Sequence, residues 1–517
     1  MKKSLAFLLA AMMLLTLVTG CGSKEPSADP GTSAEATEER TVVVCSDAIF
    51  TTLNFLSASG YGDKFFGYNI YECLALPGKD GGMELQLAES YEVSDDGLTY
   101  TFKLPSDVKF HNGDTLKASD VAWSINVYAR EFPIVGSYVA NIKDVKVIDD
   151  TTVAIELTQP DSMTLSNLIN FPIHNQAFVE AQSDRTMSMV ECGTGPYKVV
   201  DFNGTDKCLL EAFSDYHAGE PEIKSVEFRY ISDTASSAVA FESGDIDVLS
   251  APIAQGKLMM ESGKYNSQIA TMPHTAMIIF NTTKAPFDNK LVRQALSYAA
   301  DKQTIIQIAY DGMAKEARLL ADPDAVAGAD MSKADDISYN PEKAKALLAE
   351  AGYPDGLDLT AMGIEFKTIA GGYHEKIAQV YQQNLAAIGV KVELVSTETP
   401  DEDAVAGDYY FMNEGQSFKP DFAYNIRQYS SDYVGGTNMA QWSDEYVTEE
   451  FNRINAITDT EERQASYADL IAYIVDACPN LPIMHRQKIW MTQPDLNAYI
   501  YEQNDTCFRV WEWSWNS

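Results

Sequence analysis

The sequence predicts a two-lobed α/β protein, and three observations carry that prediction. The N-terminal half alternates apolar and polar residues with the period of strands. From about residue 286 the apolar spacing turns helical, and a strand–helix–strand unit there argues for parallel pairing. Of the 517 residues, 477 follow position 40, more than one hydrophobic core ordinarily supports.

Taken in order, the first 20 residues read as a leader rather than as fold. Lys2 and Lys3 precede a fourteen-residue apolar run, Leu5 to Val18, which is short for a span of about 20 residues but suits a signal peptide. The run ends in Val18-Thr19-Gly20-Cys21, which resembles a bacterial lipobox with Cys21 as the lipidated residue. Residues 21–40 contain nothing apolar larger than alanine after the cysteine, too little to offset ordering entropy, and are expected to be a flexible tether.

Leu98, Tyr100, Phe102 and Leu104 alternate with polar residues as one strand face. KDVKVI (143–148) and TTVAIEL (151–157) flank Asp149-Asp150 as a hairpin, and GPYKVVDF and KCLLEAF flank Asn203-Gly204-Thr205 as another. A helix-then-strand unit follows in SSAVAFESGDIDVLS (236–250). Asp288 is the expected cap of a helix carrying Leu291, Val292, Ala295, Leu296 and Ala299 on one face. Asn340-Pro341 starts another, stopped by Gly352. Leu357 and Leu359 mark a strand, Ile377 to Ile388 a helix, and Val390, Val392 and Leu394 a second strand; a last helix runs from about Thr460 to Ala477. Trp511, Trp513 and Trp515 sit at every second position and are expected to close a core as a terminal strand. If that strand joins the first lobe's sheet, the chain begins and ends in one lobe.

The chain carries 38 Lys and Arg against 75 Asp and Glu, a formal charge of −37, and loss of Lys2 and Lys3 brings it to −39. Such a balance argues against nucleic-acid and anionic-lipid partners, which need basic patches. Beyond Cys21, six cysteines remain (Cys45, Cys73, Cys192, Cys208, Cys478, Cys507), and their spacing leaves disulfides and buried free thiols both open. No Cys/His spacing suggests a metal site. His111 has no ligand partner at metal spacing and reads as a turn residue. Gly193, Gly195 and Pro196 fit a chain reversal, not a phosphate loop.

Four blocks carry a family resemblance: LAESYEVSDDGLTYTFKLPSDVKFHNGDTLKASDVAWSI (87–125), GTGPYKVV (193–200), FNTTKAPFDNKLVRQALSYAADKQTII (280–306), and YNPEKAKALLAEAGYPDG (339–356) with NLAAIGVKVEL (384–394). They resemble the dipeptide/oligopeptide/nickel-binding receptors, extracellular solute-binding protein family 5. The resemblance implies a type II periplasmic-binding-protein-like architecture with a hinge. Lobe I is expected over 41–279 plus 485–517, with an extra subdomain at about 70–190, and lobe II over 280–484. It implies a lipid-anchored receptor on the extracytoplasmic face of the membrane, binding a peptide-like solute for an ABC permease. Ligand-driven closure of this kind needs no catalytic residue, cofactor or metal, and the expected state is a monomer. A non-peptide solute, such as a metal chelate or oligosaccharide, and an extracellular peptide-sensing role remain open alternatives. A secreted hydrolase is the reading from another class, and no hydrolase motif supports it.

Peptide-binding relatives carry an aspartate before a proline that pairs with the ligand's amine. Counting back from Pro420 puts Gln416 at that position and Asn413 at the position of the family's tryptophan. A neutral amide cannot supply the same charge-assisted bond, so Glu414 and Asp421 are the candidate acids. Arg427 is the candidate for a carboxylate and Phe418 for apolar contact. Asp47, Thr52, Tyr71, Glu72, Asn438 and Trp442 complete the candidate set, and His485 is expected in the hinge.

Overall fold

A computed structural model of the chain describes residues 40–46, 48–56, 63–78, 83–419, 421–501 and 508–516. The expected leader, Cys21, the tether up to residue 39, Asp47 and Cys507 lie outside the described residues.

One mixed sheet of eleven strands organises the described residues. Its order is Glu393–Thr397, Glu365–Ile369, Phe411–Ser417, Asn266–Phe280, Asn480–Thr492, Val248–Ala251, Val42–Ser46, Ser225–Tyr230, Lys207–Ala212 and Tyr197–Phe202, with Ala314–Glu316 on the side of Asn480–Thr492. The two longest strands, Asn266–Phe280 and Asn480–Thr492, run antiparallel through the middle. Their ladder pairs Asn266–Thr271 with Gln487–Thr492, breaks, and resumes with Thr275 opposite His485. The break is where the packing changes hands. Ala270, before it, belongs to a core with Val42, Val44, Phe228 and Trp490. Beyond it the strand faces two cores by alternation: Ala276, Ile278 and Phe280 join Val292, Leu296, Phe366 and Tyr381, while Met277 and Ile279 join Phe422, Phe451 and Tyr467.

A separate four-stranded antiparallel sheet (Ser90–Val93, Thr99–Lys103, Thr152–Leu157, Ile142–Asp149) packs with the helix Ala118–Asn126 around Phe102, Phe110, Val121 and Ile155. Asp120 accepts from the backbone N–H of Lys117 at 3.0 Å, the capping bond that starts this helix. His111 bridges Glu191 (Nδ1–Oε2 2.6 Å) and the Gly195 carbonyl (Nε2–O 2.9 Å). A Cβ on Gly193 would sit 1.9 Å from the Ile70 carbonyl oxygen, so this reversal needs glycine for close approach.

Most local signals meet their elements. The Asn203-Gly204 hairpin joins Tyr197–Phe202 to Lys207–Ala212, and Asn340 caps Pro341–Glu350. Leu357–Asp358 pairs in parallel with Val390–Lys391 around the helix Gly372–Ala387. Two readings are corrected, and one strand went unread. Asn289, not Asp288, caps the helix Lys290–Tyr298, accepting from Leu291 N–H at 2.9 Å. Glu365–Ile369, a strand of the main sheet, carries too few apolar residues to be read. The terminal tryptophans do not form one long strand: Val510–Glu512 is a 3-10 turn, and only Ser514–Trp515 pairs, with Leu496–Asn497 outside the main sheet. Asn69 bends the chain there, donating to the Phe508 carbonyl (2.6 Å) and accepting from Val510 N–H (3.1 Å). Trp513 is nevertheless buried in the core of Val42 and Val44, so both ends of the described chain pack together. Cys45, Cys73, Cys192, Cys208 and Cys478 are all buried, and Cys192, Cys208 and Cys478 are free thiols.

Candidate functional site

The break between the two crossing strands gathers polar side chains that nothing nearby in sequence would bring together. His274 lies in the break, and the strand Phe411–Ser417 pairs alongside, with Gly415 opposite Ala276. A Cβ on Gly415 would sit 2.1 Å from His274 Cε1, so the imidazole packs flat on this strand only because residue 415 is glycine. Thr275 donates to the Leu320 carbonyl (2.5 Å) and so accepts from His485 Nδ1 (2.8 Å). That assignment leaves His485 Nε2 as a bare acceptor. His374 Nδ1 meets Asn413 Oδ1, Tyr373 stacks on His374 at 4.1 Å, and the Arg486 guanidinium lies 4.7 Å over Tyr373.

Burial dominates the electrostatics of this cluster. It lowers His274 to about 3, with Arg486, His374 and His485 adding like charge. It lowers His374 and His485 to about 4. All three imidazoles are therefore neutral near pH 7. Glu414 is 6% exposed; its Oε1 accepts from Gly415 N–H at 2.8 Å, and burial pushes the carboxyl up to about 7. Among the described residues, His274 Nδ1, Asn413 Nδ2, Glu414 Oε2, His485 Nε2 and Arg486 Nε are buried without a hydrogen-bond partner. Five such atoms at one strand break depart from the rule that buried polar groups are satisfied.

Beyond this strand the chain turns through Phe418, whose ring meets His485 edge-on at 5.6 Å. Asn425 brackets the turn, accepting from Lys419 N–H (2.8 Å) and donating to the Lys419 carbonyl (2.7 Å). Asp421 caps the short helix Phe422–Ile426 through Ala423 N–H (2.7 Å), and burial raises its carboxyl to about 6. The Arg427 guanidinium sits 3.8 Å over Tyr424 and 5.4 Å from Tyr433, its buried Nε unpartnered among the described residues. Tyr138, from the extra sheet's side, lies against Tyr424 and Arg427.

The opposite wall comes from the core of Val42. Asp63 accepts from Thr51 N–H (2.5 Å), Thr51 Oγ1 (2.6 Å) and Thr52 N–H (3.2 Å), so buried Thr52 is held at the entry to the helix Lys64–Ile70. Farther out, Asn455 Oδ1 takes bonds from Ser162 Oγ (2.5 Å) and Ser162 N–H (3.2 Å), and Asn455 Nδ2 donates to Asp161 (3.3 Å). Ser162 and Asp161, which follow the four-stranded sheet's strand Thr152–Leu157, are thereby joined to Asn455 at the end of the helix Glu445–Asn455.

The candidate residues divide by placement. Glu414, opposite Met277, and Phe418, against His485 and Pro273, border the strand break, and Asp421 and Arg427 follow on the adjoining turn. Gln416 donates to the Thr437 carbonyl at 3.2 Å. Asn438 ties its own loop, donating to the carbonyls of Ser430 (3.0 Å) and Trp442 (2.7 Å), and Trp442 packs between Tyr429 and Tyr473. Glu72 is fully buried between Tyr216 Oη (3.1 Å) and His217 Nε2 (2.9 Å); despite burial, it holds His217 above the ordinary imidazole range. Tyr71 packs on His174 at 4.8 Å, its hydroxyl unpartnered among the described residues. His274, Arg486 and Lys419 were not singled out from sequence. The signal for Lys419 was a lone cation beside Pro420 in the divergent loop; His274 and Arg486 gave none.

A mixed sheet with two long strands through its middle, and buried polar groups left unpartnered among the described residues at their ladder break, fits a two-lobed binding protein of the periplasmic type. Residues 82–437 match the bacterial extracellular solute-binding proteins, family 5, and the chain belongs to that family. It is 28% identical over 537 aligned positions to heme-binding protein A of Haemophilus influenzae, covering 97% of each. It is 31% identical to glutathione-binding protein GsiB of Salmonella typhimurium over 78% of this chain and 76% of that protein. In three dimensions it is similar to HbpA2 of Haemophilus parasuis (TM-score 0.83, 25% identity, 92% and 100% of the chains). The same fold occurs in the substrate-binding protein CtaP of Listeria monocytogenes (TM-score 0.80, 24% identity, 92% and 99%). These are solute-binding proteins, not enzymes. Among the described residues no group of three or more His, Cys, Asp or Glu could hold a metal ion, and no helix is long and apolar enough to cross a membrane.

Proposed function

We propose that this chain is the receptor of an ABC importer, lipid-anchored through Cys21 outside the cell, which closes two lobes on a peptide-like solute and presents it to a permease. The lobes are taken as 41–279 plus 485–517 and 280–484, with the extra subdomain at about 70–190. The observation that carries the reading is the set of buried polar atoms at the strand break without partners among the described residues, Glu414 Oε2 above all. A solute amine seated against Glu414 would satisfy a carboxylate held in low dielectric, replacing the aspartate that Gln416 lacks. The names of two relatives, a glutathione-binding and a heme-binding protein, support a solute of peptide or small-organic class.

The test is mass spectrometry of the solute released from the purified protein, followed by thermal shifts with reduced glutathione and a tripeptide panel. A ligand at a hundredfold its Kd raises stability by about 2.7 kcal/mol. Absence of any shift from amine-bearing peptides would discard the reading. A second reading, a planar metal chelate, is favoured by the neutral imidazoles of His274 and His485, each with a buried nitrogen unpartnered among the described residues. Hemin titration read in the Soret band separates it from the first.

A further inference from the structure

The unit built on the four-stranded antiparallel sheet has a core of its own, whose buried members all fall between residues 56 and 192. Met163 stands inside that stretch of sequence and is not among them. It is 5% exposed, and the core it joins is the one around Phe422, Phe451 and Tyr467, whose every other buried member lies between residues 277 and 477. Leu157 before it and Leu168 after it stay with the four-stranded sheet. One apolar side chain thus leaves its own unit and is seated in the other half.

The flanking backbone explains how that side chain is presented. Asp161 Oδ1 accepts from Met163 N–H (3.0 Å), its Oδ2 from Asn141 Nδ2 (3.2 Å), and its carbonyl from Thr164 Oγ1 (2.7 Å). The segment is therefore braced on its own side. Opposite, Asn455 ends the helix Glu445–Asn455, whose Phe451 and Ile454 belong to the receiving core. Its amide bonds both residues that lead into Met163, taking Ser162 Oγ at 2.5 Å and donating to Asp161 at 3.3 Å. Close by, a Cβ on Gly97 would lie 3.0 Å from Thr458 Cγ2 and 3.3 Å from Pro160 Cβ, so the turn at Gly97 also comes up against the loop after that helix. Water can replace the polar bonds when the two parts separate. It cannot replace the seat of the thioether, so separation leaves an exposed methionine behind.

We propose that the segment 161–163 is a latch: the four-stranded unit fastens itself to the other half by seating Met163 in that half's core, and withdraws it on opening. The inference needs the two-lobed fold and not the identity of the solute. Because the latch stands apart from the strand break, it supports closure equally for every solute the cleft takes, setting affinity without setting selectivity.

The experiment follows methionine oxidation on the full mature protein, stripped of solute by denaturation and refolding. Hydrogen peroxide passes one oxygen atom to an accessible thioether and leaves water, and peptide mass spectrometry reads the sulfoxide at each position. Met277 and Met412, both 0% exposed in the same core, are the internal controls. Met163 is expected to oxidise at least about tenfold faster than either, since lobe opening frees it without unfolding the core. In the double variant Ser162→Cys with Asn455→Cys, the disulfide should bring the Met163 rate down to that of the controls, and its reduction should restore it. Unchanged rates at Met277 and Met412 show that the variant's core is intact. Solution scattering should give the tied protein a smaller radius of gyration than its reduced form. Oxidation of Met163 as slow as that of Met277 in the wild type overturns the latch, since the residue would then be a permanent part of that core. Fast oxidation in the tied protein overturns it as well, and so do equal radii for the tied and reduced forms, which would mean that the segment frays without the halves parting.

Discussion

Replacing Glu414 by glutamine should stabilise the solute-free protein, and only at neutral and higher pH. The residue is 6% exposed, and burial lifts its carboxyl from an ordinary 4.5 to about 7. The sign follows from linkage. Between those two values the folded state holds a proton that the unfolded state has released, so Glu414's contribution to stability falls as pH rises through that window. Below pH 4.5 the group is protonated in both states and contributes no penalty; above 7 the full penalty applies. At 1.36 kcal/mol for each tenfold in proton affinity, the ionised carboxylate costs about 3 kcal/mol, most of it developing between pH 5 and pH 8. Glutamine keeps the acceptor for Gly415 N–H and removes the charge, though its own buried NH₂ carries a penalty of about 1–3 kcal/mol. That second term does not depend on pH, so the comparison of the two proteins at two pH values cancels it. Urea unfolding of solute-free wild type and Glu414→Gln at pH 5 and pH 8 should show the difference in stability shifting by about 2–3 kcal/mol in the variant's favour at the higher pH. A shift below about 0.5 kcal/mol would mean that the carboxylate is already compensated, and the argument that a cationic group belongs beside it would fail.

The same titration predicts that affinity for an amine-bearing peptide rises between pH 5 and pH 7 in the wild type, as Glu414 ionises and before the peptide amine loses its proton near pH 8, and stays flat over that range in Glu414→Gln; isothermal titration decides it. Gly415→Ala would put a methyl carbon 2.1 Å from His274 Cε1, and overpacking of this kind costs about 1–3 kcal/mol, visible in a melting curve. Asn455→Ala removes the bonds to Ser162 and Asp161 that join the outer edges of the cleft. At about 1 kcal/mol for each such bond, closure should weaken by about 2–3 kcal/mol; solute affinity would drop at least tenfold and solution scattering would show a larger radius of gyration. Unchanged affinity and radius would show that these contacts do not hold the lobes.

The scaffold was legible where local chemistry alone decides the outcome. Asn340-Pro341 starts a helix because the amide caps and the ring fits the first turn, and Asn203-Gly204 turns because glycine there adopts a positive φ of 70°. The strand Glu365–Ile369 escaped because it is read only from its neighbours: its single fully buried apolar residue, Phe366, stacks on Phe411 forty-five positions away, ring centroids 4.5 Å apart. The terminal tryptophans misled for the opposite reason. Their alternation is real, but Asn69, far back in the chain, captures Phe508 and Val510 and folds the segment into a turn. The candidate site was legible only along the divergent loop, at Glu414, Phe418, Asp421 and Arg427. Its remaining members, His274 and Arg486, stand in segments whose patterns speak of strands, and only long-range pairing brings them to the cleft.

That division has an energetic counterpart. The cores around Val42, Phe366 and Phe422 are apolar and closed, so the lobes do not depend on a solute to fold. The cleft is where uncompensated groups accumulate. In an open cleft, water can serve Glu414 Oε2, Arg486 Nε and Arg427 Nε; closure without a solute withdraws it. At about 1–3 kcal/mol for each buried group left unpaired, three of them weigh about 3–9 kcal/mol against empty closure. A two-state equilibrium swings from one part in a hundred to its inverse with about 5.5 kcal/mol. Groups that make the closed empty state unfavourable are thus of the right size to let a solute that satisfies them decide whether the protein is open or shut, which is the discrimination a receptor must offer its permease.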